Sequence, residues 1–107
     1  MDYNKARERA AKIVAPMTAY EKMSQLVYNS PAIERLGIKE YNWWNEAAHG
    51  VARAGVATVF PQAIGMAATF NPELNQTVAD AVSTEARAKY NKSVQFNDYD
   101  IFKGLTY

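Results

Sequence analysis

Between Arg53 and Glu73 the chain carries 19 consecutive uncharged residues, AGVATVFPQAIGMAATFNP. A run of that kind is hidden from water, either in a bilayer or in protein. The bilayer fails on content. Gly55, Pro61, Gln62, Gly65 and Asn71 would break a spanning helix or load it with polar groups. Burial in protein is what remains. Residues 56–60 and 64–70 are short apolar pieces on either side of Pro61. Uncharged pieces covered on both faces are how parallel α/β strands look in sequence, so both are expected to be buried.

The rest of the chain supplies helices. Ala6, Ala10, Ile13 and Val14 recur at helical spacing and predict a first helix over residues 3–15, closed by Pro16. Thr18 and Glu21 have the spacing of a capping box and open a second helix, with Tyr20, Met23, Leu26 and Val27 as its apolar stripe. Asn29, Ser30 and Pro31 stop it, and a loop with a turn at Gly37 follows. Residues 40–44 are short and aromatic-rich, which reads as a strand leading into a functional loop. Asn71, Pro72 and Glu73 give an N-cap, a first-turn proline and a first-turn acid. The helix they open runs to about residue 90 on the face of Leu74, Val78, Ala81, Val82, Ala86 and Tyr90, with Asn91 as its stop. The final IFKGLTY is apolar and strand-like, so the 107 residues read as the front of a longer domain.

Charge and composition exclude several functions. Twelve basic and eleven acidic residues leave +1, which is no footprint for nucleic acid or an anionic membrane. There is no cysteine and a single histidine, His49, so no metal site is expected and no cofactor is implied. The five glycines are scattered, which rules out a phosphate-cradling loop, and Ser30 and Ser83 lie in no nucleophile elbow. Residues 1–17 mix Lys5, Arg7, Arg9 and Lys12 with Asp2 and Glu8, and no apolar run follows them, so they are no secretory leader. If Met1 is native the protein is cytoplasmic; otherwise a leader was removed and it is periplasmic or secreted.

Chemistry concentrates in residues 41–50, YNWWNEAAHG. Both tryptophans, the histidine, two amides and Glu46 fall within ten residues. Aromatic faces beside carboxylates and amides suit a carbohydrate, whose C–H faces stack while its hydroxyls bond. Composition alone favours the plainer assignment, with the tryptophans as core anchors and Glu46 solvated. His49 is either a general base or a structural histidine whose ring bonds a backbone carbonyl, and with no partner in the motif the structural role is the expectation. Glu85 falls on the apolar face of the last helix, where an acid needs a partner such as Arg53 or a backbone amide. Glu46 and Glu85 as an acid–base pair is conceivable, but catalysis is the less expected use.

The string YNWWNEAAHGVARAGVATVFPQAIGMAATFNPEL resembles the N-terminal region of glycoside hydrolase family 3, the β-glucosidases and β-xylosidases. The flanking PMTAYEKMSQL, STEARAKYN and KGLTY are similar to family segments as well, so the resemblance covers roughly residues 7–107. Ala48 stands where leucine is usual, a packing change only.

The resemblance implies an α/β fold, the N-terminal portion of a (β/α)8 barrel with its active site at the C-terminal ends of the strands. Residues 1–107 then form part of that domain, truncated near its second strand, since such a barrel needs about 250 residues. It implies a retaining exo-glycosidase in which an aspartate attacks the anomeric carbon and a separate acid/base protonates the leaving oxygen. The family's nucleophile, its Arg-Trp-Gly-Arg stretch and its Lys-His pair come later than residue 107, so no catalytic residue and no activity is expected in this piece alone. Glu46 matches the position that holds the terminal sugar by its hydroxyls, and Trp44 is the second expected substrate-binding residue. The substrate is expected to be a xylo-oligosaccharide; the alternatives are a β-glucosidase piece and a non-catalytic, self-assembling structural piece. A partial barrel leaves edges and faces uncovered, so self-association of the piece is expected.

Overall fold

The computed structural model describes residues 2–107. They divide into two compact units, one ending at Tyr41 and the other spanning Asn42–Tyr107.

In the first unit, Asp2 caps helix α1 (Tyr3–Val14), its carboxylate accepting from the Asn4 and Lys5 amides. Ala15 keeps helical dihedrals beyond the last turn. Pro16 therefore ends the helix because it has no N–H to donate, rather than by displacing its predecessor. Helix α2 (Ala19–Ser24) opens on the expected capping box. Thr18 Oγ1 accepts from the Glu21 amide at 3.2 Å, and a Glu21 oxygen accepts from the Thr18 amide at 2.8 Å. The helix stops earlier than its apolar stripe suggested. In a longer helix the Val27 carbonyl would look to residue 31, but Pro31 offers no N–H. Ser30, buried, donates instead to the Gln25 and Val27 carbonyls and folds the chain into a turn.

Strand β1 (Asn29–Ser30) pairs with β2 (Tyr41–Asn42), whose first residue closes this unit. Between them, Ile33 and Ile38 exchange backbone hydrogen bonds around a 3-10 turn, Glu34–Leu36, that ends at Gly37 as expected. Arg35 on that turn reaches back to Glu21, with Nε 2.7 Å from Oε1, and also donates to the Pro16 carbonyl. The strand expected over residues 40–44 shortens to the two residues of β2.

The second unit is organised on helix α4 (Pro72–Gln95), whose Asn71 cap accepts from the Leu74 amide at 2.9 Å. Asn91 does not stop it. The helix runs on to a Schellman ending in which the Asn97 amide bonds the Val94 carbonyl and the Asp98 amide bonds that of Ser93. Asn97 takes φ +53°, so the asparagine that terminates the helix is six residues later than expected.

Two expectations for the uncharged run are corrected. Residues 56–60 pair with no strand, and Val56 is 97% exposed. Within residues 64–70 the chain forms a short helix, α3 (Ala63–Ala67), and Phe70 is 91% exposed. Alanine and methionine after Gln62 favour a helical turn when no neighbouring strand is present to pair. The closing IFKGLTY forms turns rather than a strand, bonded through its backbone to residues 44–45. No helix among the described residues is long and apolar enough to cross a membrane.

Arg35, and then the Thr18 amide, hold the Glu21 carboxyl well below its ordinary value, at about 2. Its ionised form therefore stabilises the fold fully above the ordinary value of 4.5, and that contribution is lost as pH falls toward 2. Thermal unfolding followed by circular dichroism between pH 5 and 2 should show a loss of stability that Arg35→Gln flattens. Equal slopes in the two proteins would contradict the pairing.

Candidate functional site

Residues 42–50 are held by side chains that bond backbone. Asn42, buried, accepts from the Trp44 amide through its side-chain oxygen. Asn45 makes three bonds: its Nδ2 donates to the Asn42 carbonyl at 3.0 Å and to Thr106 Oγ1 at 3.1 Å, and its Oδ1 accepts from the Gly104 amide at 2.7 Å. A single amide side chain thereby ties the aromatic motif to the far end of the sequence. The Trp44 carbonyl adds a bond from the Phe102 amide at 3.0 Å.

The other side of the motif meets the uncharged run. The Phe60 amide donates to the His49 carbonyl at 2.8 Å. Gly50 has φ +112°, and a Cβ built there would lie 2.3 Å from the Thr58 carbonyl oxygen. Both facts demand glycine: the backbone region excludes side chains, and the neighbouring chain occupies their space.

Helix α4 carries the supports for this loop. Glu85 accepts from the Thr58 amide at 3.1 Å and from Thr58 Oγ1 at 2.7 Å. Four residues on, Lys89 donates to the Val51 carbonyl at 2.5 Å. Burial lowers the Lys89 ammonium below the usual lysine value, with the Glu85 charge opposing the shift. Ala86 lies between them, 4% exposed like Val51. Glu85 thus has the backbone-amide partner that its place on the helix required, and its carboxylate is engaged in holding the loop. Nothing in this arrangement makes it an acid–base partner of Glu46.

Glu46 lines a cavity of about 700 Å³ with His49, Arg53, Val59 and Tyr107 among its neighbours. A second cavity of about 590 Å³ shares His49 and Tyr107 and is walled by Met66, Val78 and Val82. Their combination of apolar walls and a few polar groups is that of small-molecule sites. Arg53 Nε stands 3.9 Å from Glu46 Oε2, and its guanidinium lies 5.4 Å from the centre of the Phe102 ring.

Trp43 and Trp44 are half-exposed rather than core anchors, and Trp44 is not among the residues lining the Glu46 cavity. The His49 ring is exposed and makes no hydrogen bond among the described residues, so the expected ring-to-carbonyl bond is replaced by one through its backbone. Among the described residues no cluster of three His, Cys, Asp or Glu side chains could hold a metal. The structural parts that residue-by-residue reading missed are Asn45, Gly50 and the Arg53–Phe102 contact. Only Gly50, the last residue of the motif, left a signal in the sequence.

The chain is similar to several curated glycosidases. It is 51% identical over 86 residues to a xylan 1,4-β-xylosidase of Xylanibacter ruminicola, a match covering 80% of this chain and 10% of the relative. It is 48% identical over 91 residues to a probable exo-1,4-β-xylosidase of Neosartorya fischeri, covering 75% and 12%. A β-xylosidase/α-L-arabinofuranosidase of Medicago sativa is 40% identical over 109 residues, covering 92% and 13%. The chain therefore spans about a tenth of the length of the curated relatives it matches. No family model and no solved structure matches it.

Gly50→Ala should destabilise the second unit by about 2 kcal/mol or more, from backbone strain compounded by the clash with Thr58. Gly55→Ala, at φ +95° in open space, should lose only about 1 kcal/mol. Urea denaturation of the two variants checks the order; equal losses would mean that the close approach at Thr58 carries no weight.

Proposed function

We propose that the chain, whose curated relatives are β-xylosidases, forms the leading part of a glycoside hydrolase family 3 enzyme that removes terminal xylose from xylo-oligosaccharides. The observation that carries this reading is the 51% identity to a xylan 1,4-β-xylosidase over 80% of the chain. The proposed architecture is the first portion of a (β/α)8 barrel, with residues 42–50 as a loop at its active-site end.

In this reading the attacking aspartate and the acid/base lie outside these 107 residues, and the chain alone turns over no xyloside. Its contribution is to hold the terminal sugar. Glu46 stands on a cavity wall, where its side-chain oxygens accept hydrogen bonds from sugar hydroxyls. Trp44 supplies an aromatic face nearby in sequence.

The apolar surface supports the same reading. Leu26, Val56 and Phe70 are all more than four-fifths exposed, and only Ile33, Val51 and Ala86 are buried hydrophobic residues among those described. In the longer enzyme the exposed groups are covered by further barrel elements. Alone, the 107-residue chain should self-associate through them. Light scattering across a concentration series should show mass rising with concentration; a compact monomer at high concentration would contradict this.

Sugar choice rests on Glu46. By the family resemblance, glucose-cleaving members tend to carry aspartate at this position; glutamate is one methylene longer, and its carboxylate takes the volume of a hydroxymethyl group that xylose lacks. A difference of that size is worth about 1–3 kcal/mol, or roughly 10–200-fold in specificity. Glu46→Asp in the full-length enzyme should shift the ratio of kcat/KM on aryl xyloside and aryl glucoside toward the glucoside. An unchanged ratio with both rates equally reduced would mean that Glu46 holds the sugar without selecting it.

A further inference from the structure

Among the described residues Glu46 forms one ion pair, and its partner has a contact of its own. Arg53 Nε is 3.9 Å from Glu46 Oε2, and both residues line the same cavity. The Arg53 guanidinium lies over the Phe102 ring, its carbon 5.4 Å from the ring centre. Phe102 in turn is fixed by its amide bond to the Trp44 carbonyl and takes φ +64°. A bulky residue persists in that left-handed region only when its surroundings over-determine it, and such residues gather at functional sites. Trp44, Phe102, Arg53 and Glu46 therefore form a closed sequence of contacts that begins and ends in the aromatic motif.

A glutamate side chain on an open wall samples several rotamers, and ordering it opposes ligand binding. A guanidinium over an aromatic face is a planar, charged group whose position the ring attracts and narrows. We propose that Arg53, seated on Phe102, is a positioning residue for the Glu46 carboxylate, ordering it at the cavity wall before a sugar arrives. The inference rests on the reading of Glu46 as the sugar-holding residue. Arg53 itself touches no sugar in this scheme; it acts through Glu46. The interaction between exposed groups is modest in water, and it strengthens as a bound sugar displaces solvent from the cavity.

A double-mutant cycle in the full-length enzyme, assayed on aryl xyloside, tests this. Glu46→Gln should raise KM roughly tenfold or more. Arg53→Met should raise KM about three- to fivefold with kcat nearly unchanged, and Arg53→Lys, which keeps the charge but loses the planar face, should fall between. Phe102→Leu should reproduce part of the Arg53→Met effect, and it carries the same cycle if Arg53→Met does not fold. In the Glu46→Gln background neither change should raise KM further. Independent, multiplying effects would overturn the proposal, as would a silent Arg53→Met beside a damaging Glu46→Gln; in both cases Glu46 keeps its assigned role. A silent Glu46→Gln would remove that role, and the inference with it.

Discussion

Apolar burial is scarce in these residues, and the arrangement of several loops follows from what replaces it. Ile33, Val51 and Ala86 are the buried hydrophobic residues among those described, and none is large enough to anchor a core of its own. Polar side chains bonded to backbone take over. Ser30 gathers two carbonyls in the first unit, and Glu21 gathers an amide and an arginine. In the second unit Asn45 makes three bonds that join its own loop to the C-terminal turn, and Glu85 and Lys89 hold two further stretches of chain. Such bonds are directional, so they fix where a loop goes without hiding much of its surface. The net contribution of each is small beside what burial of a large apolar side chain would supply.

This division explains what could be read from the sequence. Helix starts are local events, and Thr18 with Glu21 and Asn71 with Pro72 open α2 and α4 as their spacing predicted. Helix ends were less legible because they depend on which carbonyls find donors. Ser30 and Pro31 end α2 early through such competition, and Asn97 rather than Asn91 closes α4. The uncharged run misled for another reason. Its lack of charge signals burial, yet residues 56–60 and 64–70 are largely open in the described chain, where no further element covers them. Hydrophobicity reports what a segment needs, and the covering surface must come from somewhere else.

The candidate site shows the same pattern. The cluster of aromatic, amide and acidic groups over residues 41–50 was visible as composition, and the resemblance attached a role to Glu46. Its environment was not visible, because Arg53, Phe102 and Tyr107 are brought to it by loop geometry rather than by any periodicity. Glu85 lies between the two cases. Its place on an apolar helix face announced that it needed a partner, and the Thr58 amide is that partner.

Glu85 and Lys89 stand one helical turn apart and face opposite backbone polarities. The acid accepts an N–H from Thr58, and the base donates to the carbonyl of Val51. Exchanging the two residues would preserve composition, net charge and their spacing on the helix. The carboxylate would then confront a carbonyl and the ammonium an amide hydrogen, so both loops would be repelled at once. For this pair the order of the letters, not their inventory, holds the motif in place, and a substitution table that scores residues one at a time is blind to it.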